Sequence, residues 1–221
     1  MPEVLTILVL VLLVALAIFV AVRTTVATAR KRQGEMASLA RRLGLRFDPR
    51  RDDQLPKQFR FLDKLAEGSN RHARNLISGN YNQHRVLLFD YHFVTGSGNS
   101  QRQNDISFFM LFLPLPFPEV KIAPEGIFAK LAGMFGFEDI KFESAEFSRA
   151  FHVRARDKKF AYDICHPKMM EFLLGNRDLS IEIEGRVLAL AFERQLNSTE
   201  FVFNLTRLLQ VRSLFPKYLF P

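Results

Sequence analysis

Residues 4–22 read VLTILVLVLLVALAIFVAV, nineteen residues without a charged side chain. At about 1.5 Å per residue, a helix of this length measures about 28 Å, close to the ~30 Å hydrocarbon core of a bilayer. Thr6 is its only polar side chain. A buried helix of a soluble protein seldom stays apolar on every face over such a length. The run therefore predicts a transmembrane helix.

A cleaved signal peptide is the main alternative for this run. Such a peptide needs a basic segment before its apolar core, whereas Glu3 is the only charged side chain there. Ala27-Thr28-Ala29 imitates a cleavage site, but Arg23 lies between it and the apolar run. We therefore expect an anchor that is not removed.

The basic residues that follow the run predict its orientation. No Lys or Arg precedes the run, whereas Arg23, Arg30, Lys31 and Arg32 follow it closely. The positive-inside rule then places the N-terminus outside the cell membrane and the soluble domain in the cytoplasm. The same four side chains are expected to lie at the membrane surface beside anionic headgroups.

The net charge of +8 is concentrated next to the anchor. Residues 23–51 contain nine Lys and Arg against two acidic residues, a local net charge of +7. A nucleic-acid-binding domain more often spreads positive charge over a folded face, so no nucleic-acid partner is expected. Cys165 is the only cysteine. An intramolecular disulfide is therefore impossible, which fits a reducing compartment.

Hydrophobic periodicity predicts the order of elements in the soluble part. Helical spacing continues from the anchor to Gly44, a residue type that often ends helices. Residues 106–113 are apolar on both faces and predict a central strand that leaves through a proline-rich loop. Other predicted strands are 45–47, 75–82, 85–94, 120–123, 140–142, 151–155, 179–183 and 187–192. Other predicted helices are 126–135, 160–174 with a break at His166-Pro167, and 198–212.

Short turns between consecutive strands favour antiparallel pairing, here at Asn82-Gln83-His84 and at Glu184-Gly185-Arg186. We therefore predict an α+β fold: an N-terminal transmembrane helix, then a mainly antiparallel β-sheet domain with several short helices packed on it. The predicted division is an anchor with its basic stretch (1–32), an amphipathic helical connector (33–70) and the soluble α+β domain (71–221). The aromatic segment 214–221 is expected to lie on the domain, with the membrane surface as the alternative.

Motifs for established chemistry are missing from the sequence. It has no GxxxxGK[ST] phosphate loop, no HExxH zinc motif and no GxSxG nucleophile motif, so neither a cofactor nor a metal is expected. Asp90 and His92 share one strand face, as acid–base partners would. Cys165 and His166 set a thiol beside an imidazole at a helix start. The simpler interpretations are cross-strand pairing on a solvated face, a core cysteine and a helix-capping histidine.

Several short motifs resemble one family in their order along the chain. They are Leu39-Ala40-Arg41-Arg42-Leu43-Gly44-Leu45, Ala73-Arg74-Asn75 with Gly79, Phe89-Asp90-Tyr91 before Thr95-Gly96-Ser97-Gly98, Phe160-Ala161-Tyr162-Asp163, and His166-Pro167-Lys168-Met169-Met170. The family is one of uncharacterised bacterial membrane proteins with one N-terminal transmembrane helix and a soluble domain of unknown function. The resemblance implies a bacterial source and an anchor, and it implies no activity.

The function expected from the sequence is that of a single-pass membrane protein whose cytoplasmic domain binds a protein or lipid partner. The lipid bilayer is one expected partner, and the oligomeric state stays open. A membrane-tethered enzyme that uses Asp90 and His92, or Cys165 and His166, is the alternative, and we favour the non-enzymatic interpretation. A periplasmic domain, after inversion or cleavage of the anchor, is a third possibility.

Overall fold

The computed structural model describes residues 2–125 and 140–220, and it confirms the α+β class. One long helix precedes an antiparallel sheet with short helices packed on it. The strands are β1 (Arg46–Asp48), β2 (Ser69–Tyr81), β3 (His84–Thr95), β4 (Arg102–Pro124), β5 (Phe151–Ala155) and β6 (Ser180–Ala191). The described helices are α1 (Pro2–Arg42), α2 (Leu55–Gln58), α3 (Asp63–Ala66), α4 (Ala145–Ala150), α5 (Lys158–Ile164), α6 (Pro167–Leu174) and α7 (Ser198–Ser213).

Helix α1 runs without interruption from the apolar N-terminal segment into the domain. The structure buries none of its apolar window, whereas Met36 and Leu39 at its other end are fully buried in the core. It ends as the sequence predicts. Gly44 takes a φ of +68°, and the Leu45 amide donates to the Ala40 carbonyl at 2.8 Å. This geometry closes a helix because a glycine adopts the left-handed conformation without strain.

The sheet has the order β1-β2-β3-β4-β5, and β6 pairs with β4. Strand β4 is central, as predicted, because it pairs with β3, β5 and β6. All of these pairs are antiparallel. The turn between β2 and β3 holds Asn82 and Gln83 at φ values of 46° and 66°, the backbone that a tight two-residue hairpin requires.

The predicted proline-rich loop and one predicted hairpin turn are wrong, because the chain forms an irregularity within a continuous strand at both places. Strand β4 continues through the prolines at 114, 116 and 118, and its register against β6 shifts on both sides of Phe117. Prolines are tolerated where ladder pairing is interrupted. Strand β6 continues through Gly185, whose φ of +55° absorbs the matching irregularity. The predicted hairpin at this glycine therefore does not form.

Other predictions have mixed outcomes. Residues 140–142 form no strand, and Ile140 makes a backbone hydrogen bond to Val153 instead. The break at Pro167 and the helix after Asn197 are confirmed. Phe215 is buried in the core, so the C-terminal segment lies on the domain. The helix predicted over 126–135 falls outside the described residues.

The sheet separates two hydrophobic clusters, and the bulges change which side chains face each one. Before Gly185, the odd-numbered residues Ile181 and Ile183 of β6 face the larger cluster. After Gly185, the even-numbered residues Leu188 and Leu190 face it instead. Side chains alternate along a strand, so an inserted residue reverses the pattern. Charged residues of β4 and β6 thereby reach the face of the smaller cluster, beside α3.

Candidate functional site

Asp90 of β3 is the point where the anchor helix is fixed to the domain. Its side chain is 0% exposed, and Arg32 of α1 binds it with two hydrogen bonds. The Arg32 Nε donates to Oδ2 at 2.7 Å, and Nη2 donates to Oδ1 at 2.6 Å. A third Arg32 nitrogen, Nη1, donates to the Leu196 carbonyl at 2.8 Å. The guanidinium therefore joins α1 to the central sheet and to the segment before α7.

Further donors complete the shell of the Asp90 carboxylate. Asn75 donates from Nδ2 at 2.8 Å, and the Ser107 hydroxyl lies 3.4 Å from Oδ1. The Ser107 oxygen also accepts the Leu196 amide at 2.9 Å. We refer to Arg32, Asp90, Asn75 and Ser107 as the Arg32–Asp90 network. It fixes the relative positions of α1, β2, β3 and β4.

Among the residues predicted to face the membrane surface, Arg32 differs from the other three. Its side chain is only 17% exposed and lies in the network, whereas Arg23, Arg30 and Lys31 are exposed. The sequence also led us to expect a solvated face around Asp90, and that is wrong because the carboxylate is buried. The aspartate was recognised from its strand position, but its partner was not.

Asp90 and His92 bind different partners. The Nδ1 atom of His92 lies 3.1 Å from Asp105, which also accepts a 2.6 Å hydrogen bond from Arg74. The His92 ring packs on His72 with a centroid distance of 4.7 Å, and burial lowers the pKa of the His72 imidazole. These contacts hold the strands together, and they do not give His92 a carboxylate partner in Asp90.

Cys165 and His166 occupy structural positions at the junction of α5 and α6. Cys165 is 1% exposed, and burial raises the pKa of its thiol, which disfavours the nucleophilic thiolate. His166 precedes the first residue of α6, and its Nε2 donates to the Leu214 carbonyl at 2.8 Å. In this arrangement the imidazole anchors the C-terminal segment.

A second cluster of buried charge, which the sequence analysis missed, lies under α3. The Lys121 ammonium contacts the carboxylates of Asp63 and Glu119, and its Nζ lies 3.5 Å from Glu182. Glu182 also accepts the Asp63 amide at 3.0 Å, and Arg156 donates to Glu119 at 2.8 Å. A pocket of about 50 Å³ adjoins this cluster. The only sequence signal was the presence of charges within otherwise apolar strands.

The electrostatics of this cluster favour an internal ion pair. Burial raises the pKa of Glu182 to about 8, and the charge of Lys121 opposes that rise. Burial by itself lowers the pKa of Lys121, but Glu182, Asp63 and Glu119 outweigh that effect and the net pKa is raised. Oxygens of the three carboxylates lie within 4.8 Å of one another, a spacing that suits a cation. Here Lys121 provides the positive charge.

Together, the fold and the fixed helix define an α+β domain carried on one N-terminal helix that is long and apolar enough to cross a membrane. No protein-family model matches the chain, and no curated protein matches it. A solved structure with a similar fold is the crystal structure of the mycobacterial trehalose monomycolate transport factor A, TtfA. The TM-score is 0.64 at 13% identity, over 84% of this chain and 94% of that one. At this identity the likeness shows the fold alone.

Proposed function

We propose that the protein is a single-pass membrane protein whose cytoplasmic domain binds a lipid or protein partner beside the bilayer. The observation that carries this proposal is the unbroken helix α1, which passes from the apolar segment into the core and is fixed there by Arg32. Arg32 lies ten positions after Val22, about 15 Å further along the helix. The domain is therefore held close to the headgroups, without a flexible linker.

The exposed cations at the start of this stretch support the orientation. Arg23, Arg30 and Lys31 lie just beyond the apolar run, where anionic lipids contribute about 1 kcal/mol for each basic residue. We also propose that the chain is divided into an anchor with its basic stretch (1–32), a connector (33–70) and the soluble domain (71–221). The connector packs on the sheet through Met36, Leu39 and Leu62, which are fully buried.

The similar fold of TtfA suggests what kind of partner to expect. The name of that protein describes a factor for transport of a glycolipid, trehalose monomycolate. We propose by analogy a non-enzymatic, accessory role in lipid handling for this chain, in which the partner is a membrane lipid or a protein that moves one. The enzymatic alternative lacks comparable support among the described residues, because Asp90 is enclosed by its donors and Cys165 is buried.

Fractionation and protease accessibility test the anchoring and the orientation. We expect the full chain to require detergent for extraction, and the domain to resist added protease in intact spheroplasts but not after lysis. Reversing Arg23, Arg30 and Lys31 to Glu should expose part of the population to external protease, because the positive-inside signal is lost. A chain that is soluble without detergent, or that begins after residue 29, contradicts the proposal.

A matched variant separates the position of the charges from their number. Lys57, Arg60 and Lys168 are exposed residues of the domain, and reversing them to Glu changes the net charge by the same amount. We expect this control to leave topology unchanged. Lipids and proteins that co-purify from native membranes with the wild type then identify the class of partner.

A further inference from the structure

Strand β3 runs back along α1, towards the apolar segment. At one end of the sheet Gly79 of β2 packs on Leu45, just beyond the end of α1, so closely that a Cβ at Gly79 would lie 2.9 Å from the Leu45 side chain. The partner of Gly79 on β3 is Val86. Four positions later on β3, Asp90 binds Arg32, which precedes Leu45 by thirteen positions. Strand β3 and helix α1 therefore run in opposite directions.

A groove between α1 and the sheet gives a further point of reference. Thr24 and Arg32 of α1 line this groove together with Arg74 of β2. Arg74 is the strand partner of Asp90 on β3. The row of the sheet that contains Asp90 thus already faces the part of α1 next to the apolar run. The remaining residues of β3 extend beyond this row in the same direction.

The rest of β3 is long enough to reach the level where the apolar run ends. Thr95, the last residue of β3, lies five positions after Asp90, about 17 Å along a strand. Val22 lies about 15 Å from Arg32 along the helix. The loop after Thr95 is therefore brought to the level of Val22. The turn at Asn82-Gln83 lies at the other end of β3, about 40 Å away.

The loop between β3 and β4 is held as a compact turn. Gly98–Ser100 form a short 3₁₀ helix. Gly96 has a φ of +78°, and a Cβ there would collide with the Ser100 carbonyl, so the turn requires a glycine. At the base of the loop, the Asn104 side chain donates to the Thr95 hydroxyl at 3.1 Å. These contacts fix the loop to its two strands, so its position follows that of the sheet.

The exposed residues of this loop suit a surface of lipid headgroups. Residues 96–103 are all exposed and read GSGNSQRQ. Their side chains are hydroxyls and amides, which donate hydrogen bonds, and one guanidinium, that of Arg102. The stretch contains no carboxylate that would repel an anionic headgroup. It also contains no apolar side chain that would enter the hydrocarbon core, so its chemistry favours contact at the headgroup level.

We propose that the β3–β4 loop, residues 96–103, rests on the headgroups of the same bilayer that holds α1, with Arg102 beside a lipid phosphate. The inference rests on the proposed membrane anchoring. It adds a contact through the end of the sheet to the contact that α1 makes, and it names the surface of the domain that faces the lipid.

Fluorescence quenching in nanodiscs made with headgroup-nitroxide phosphatidylcholine tests the inference on the full chain. Cys165 is buried, so a cysteine introduced at the surface can be labelled selectively with the fluorophore NBD. The variants are Asn99→Cys in the loop, Gln83→Cys in the opposite turn and Thr25→Cys beside the apolar run, and all three positions are exposed. We expect strong quenching at positions 99 and 25 and none at position 83.

The three positions separate the levels at which an idea fails. Quenching at position 99 that is no stronger than at position 83 overturns the inference. If position 25 is quenched and position 99 is not, the chain is anchored and only this inference fails. If position 25 is not quenched either, the proposed function fails as well. A label at position 99 that is shielded from iodide only in native membranes assigns the loop to a protein partner and overturns the assignment to lipid.

Discs that also contain phosphatidylglycerol test the role of Arg102. In the chain labelled at position 99, Arg102→Gln should lower the ratio of bilayer-bound to free loop about fivefold, because one basic contact with anionic lipid is lost. Arg46→Gln is the matched control, since Arg46 is exposed and its strand partner Ser78 lies beside Gly79 at the far end of the sheet. Equal effects of the two substitutions overturn the placement of Arg102 beside a phosphate.

Discussion

Replacing Arg32 with Leu tests whether the anchor helix is fixed to the domain as the structure indicates. The substitution removes both hydrogen bonds to a carboxylate that is 0% exposed. Breaking one partner out of a buried ion pair costs about 3–5 kcal/mol, since the remaining charge is left uncompensated. Asn75 and Ser107 still donate to Asp90, so we expect a loss of about 3 kcal/mol, at the lower end.

The measurement is the free energy of unfolding of the full chain in nanodiscs, from pulse proteolysis across a urea series. Arg30→Leu is the control, because Arg30 is exposed on the same helix, and its effect should stay within about 0.5 kcal/mol. Arg32→Leu combined with Asp90→Asn should be less destabilised than Arg32→Leu alone, since no buried charge is then left unpaired.

The reasoning is refuted by a small effect. If Arg32→Leu lies within about 1 kcal/mol of Arg30→Leu, the buried pair does not fix the helix. Hydrogen exchange provides an independent reading of the same variants. Amides of α1 around Met36 should exchange faster in Arg32→Leu than in Arg30→Leu, because the helix then detaches more often.

Three further predictions concern other parts of the molecule. The pKa of Glu182 is raised in the folded protein, so the contribution of this carboxyl to stability is complete below its usual pKa of 4.5 and is lost as pH rises towards about 8. Glu182→Gln should remove this pH dependence from the free energy of unfolding measured at a series of pH values. Gln83→Gly should raise the free energy of unfolding by about 1 kcal/mol, because Gln83 is held at a φ of 66°. Cys165 should react with iodoacetamide only when the domain unfolds, as mass spectrometry of the labelled chain can show, because its thiol is buried and its pKa is raised.

Each of these has a clear contrary result. An unchanged pH profile in Glu182→Gln shows that another group titrates in that range. A loss of stability in Gln83→Gly shows that the side chain makes a contact worth more than the backbone strain. Rapid labelling of Cys165 in the folded protein reopens the enzymatic alternative at that cysteine.

Local signals in the sequence predicted the elements whose cause is local. Helix α1, its end at Gly44 and the turn at Asn82-Gln83 depend on residues a few positions apart, so the sequence contains the whole explanation. The continuity of β4 and β6 depends instead on how the two strands pair. A glycine at position 185 is compatible with a turn or with a bulge, and only the partner strand decides between them.

In the candidate sites, too, single residues were recognised from local sequence, whereas their partners depend on how distant segments pack. Asp90 was selected because it shares a strand face with His92. Its actual partner, Arg32, is 58 residues away and was already explained as a membrane-surface cation. The cluster around Lys121 brings together three separate segments of the chain, at positions 63, 119–121 and 182. Its assembly depends on the reversal of strand faces at the bulges, which no short motif records.

The continuity of α1 also bears on how the domain responds to the lipid around it. Transmembrane helices tilt to match bilayers of different thickness. Since Arg32 holds the same helix rigidly against the sheet, a change of tilt rotates the whole domain relative to the membrane plane. If the helix crosses the membrane as proposed, the acyl-chain length of the surrounding lipid sets which side of the domain faces the proposed partner.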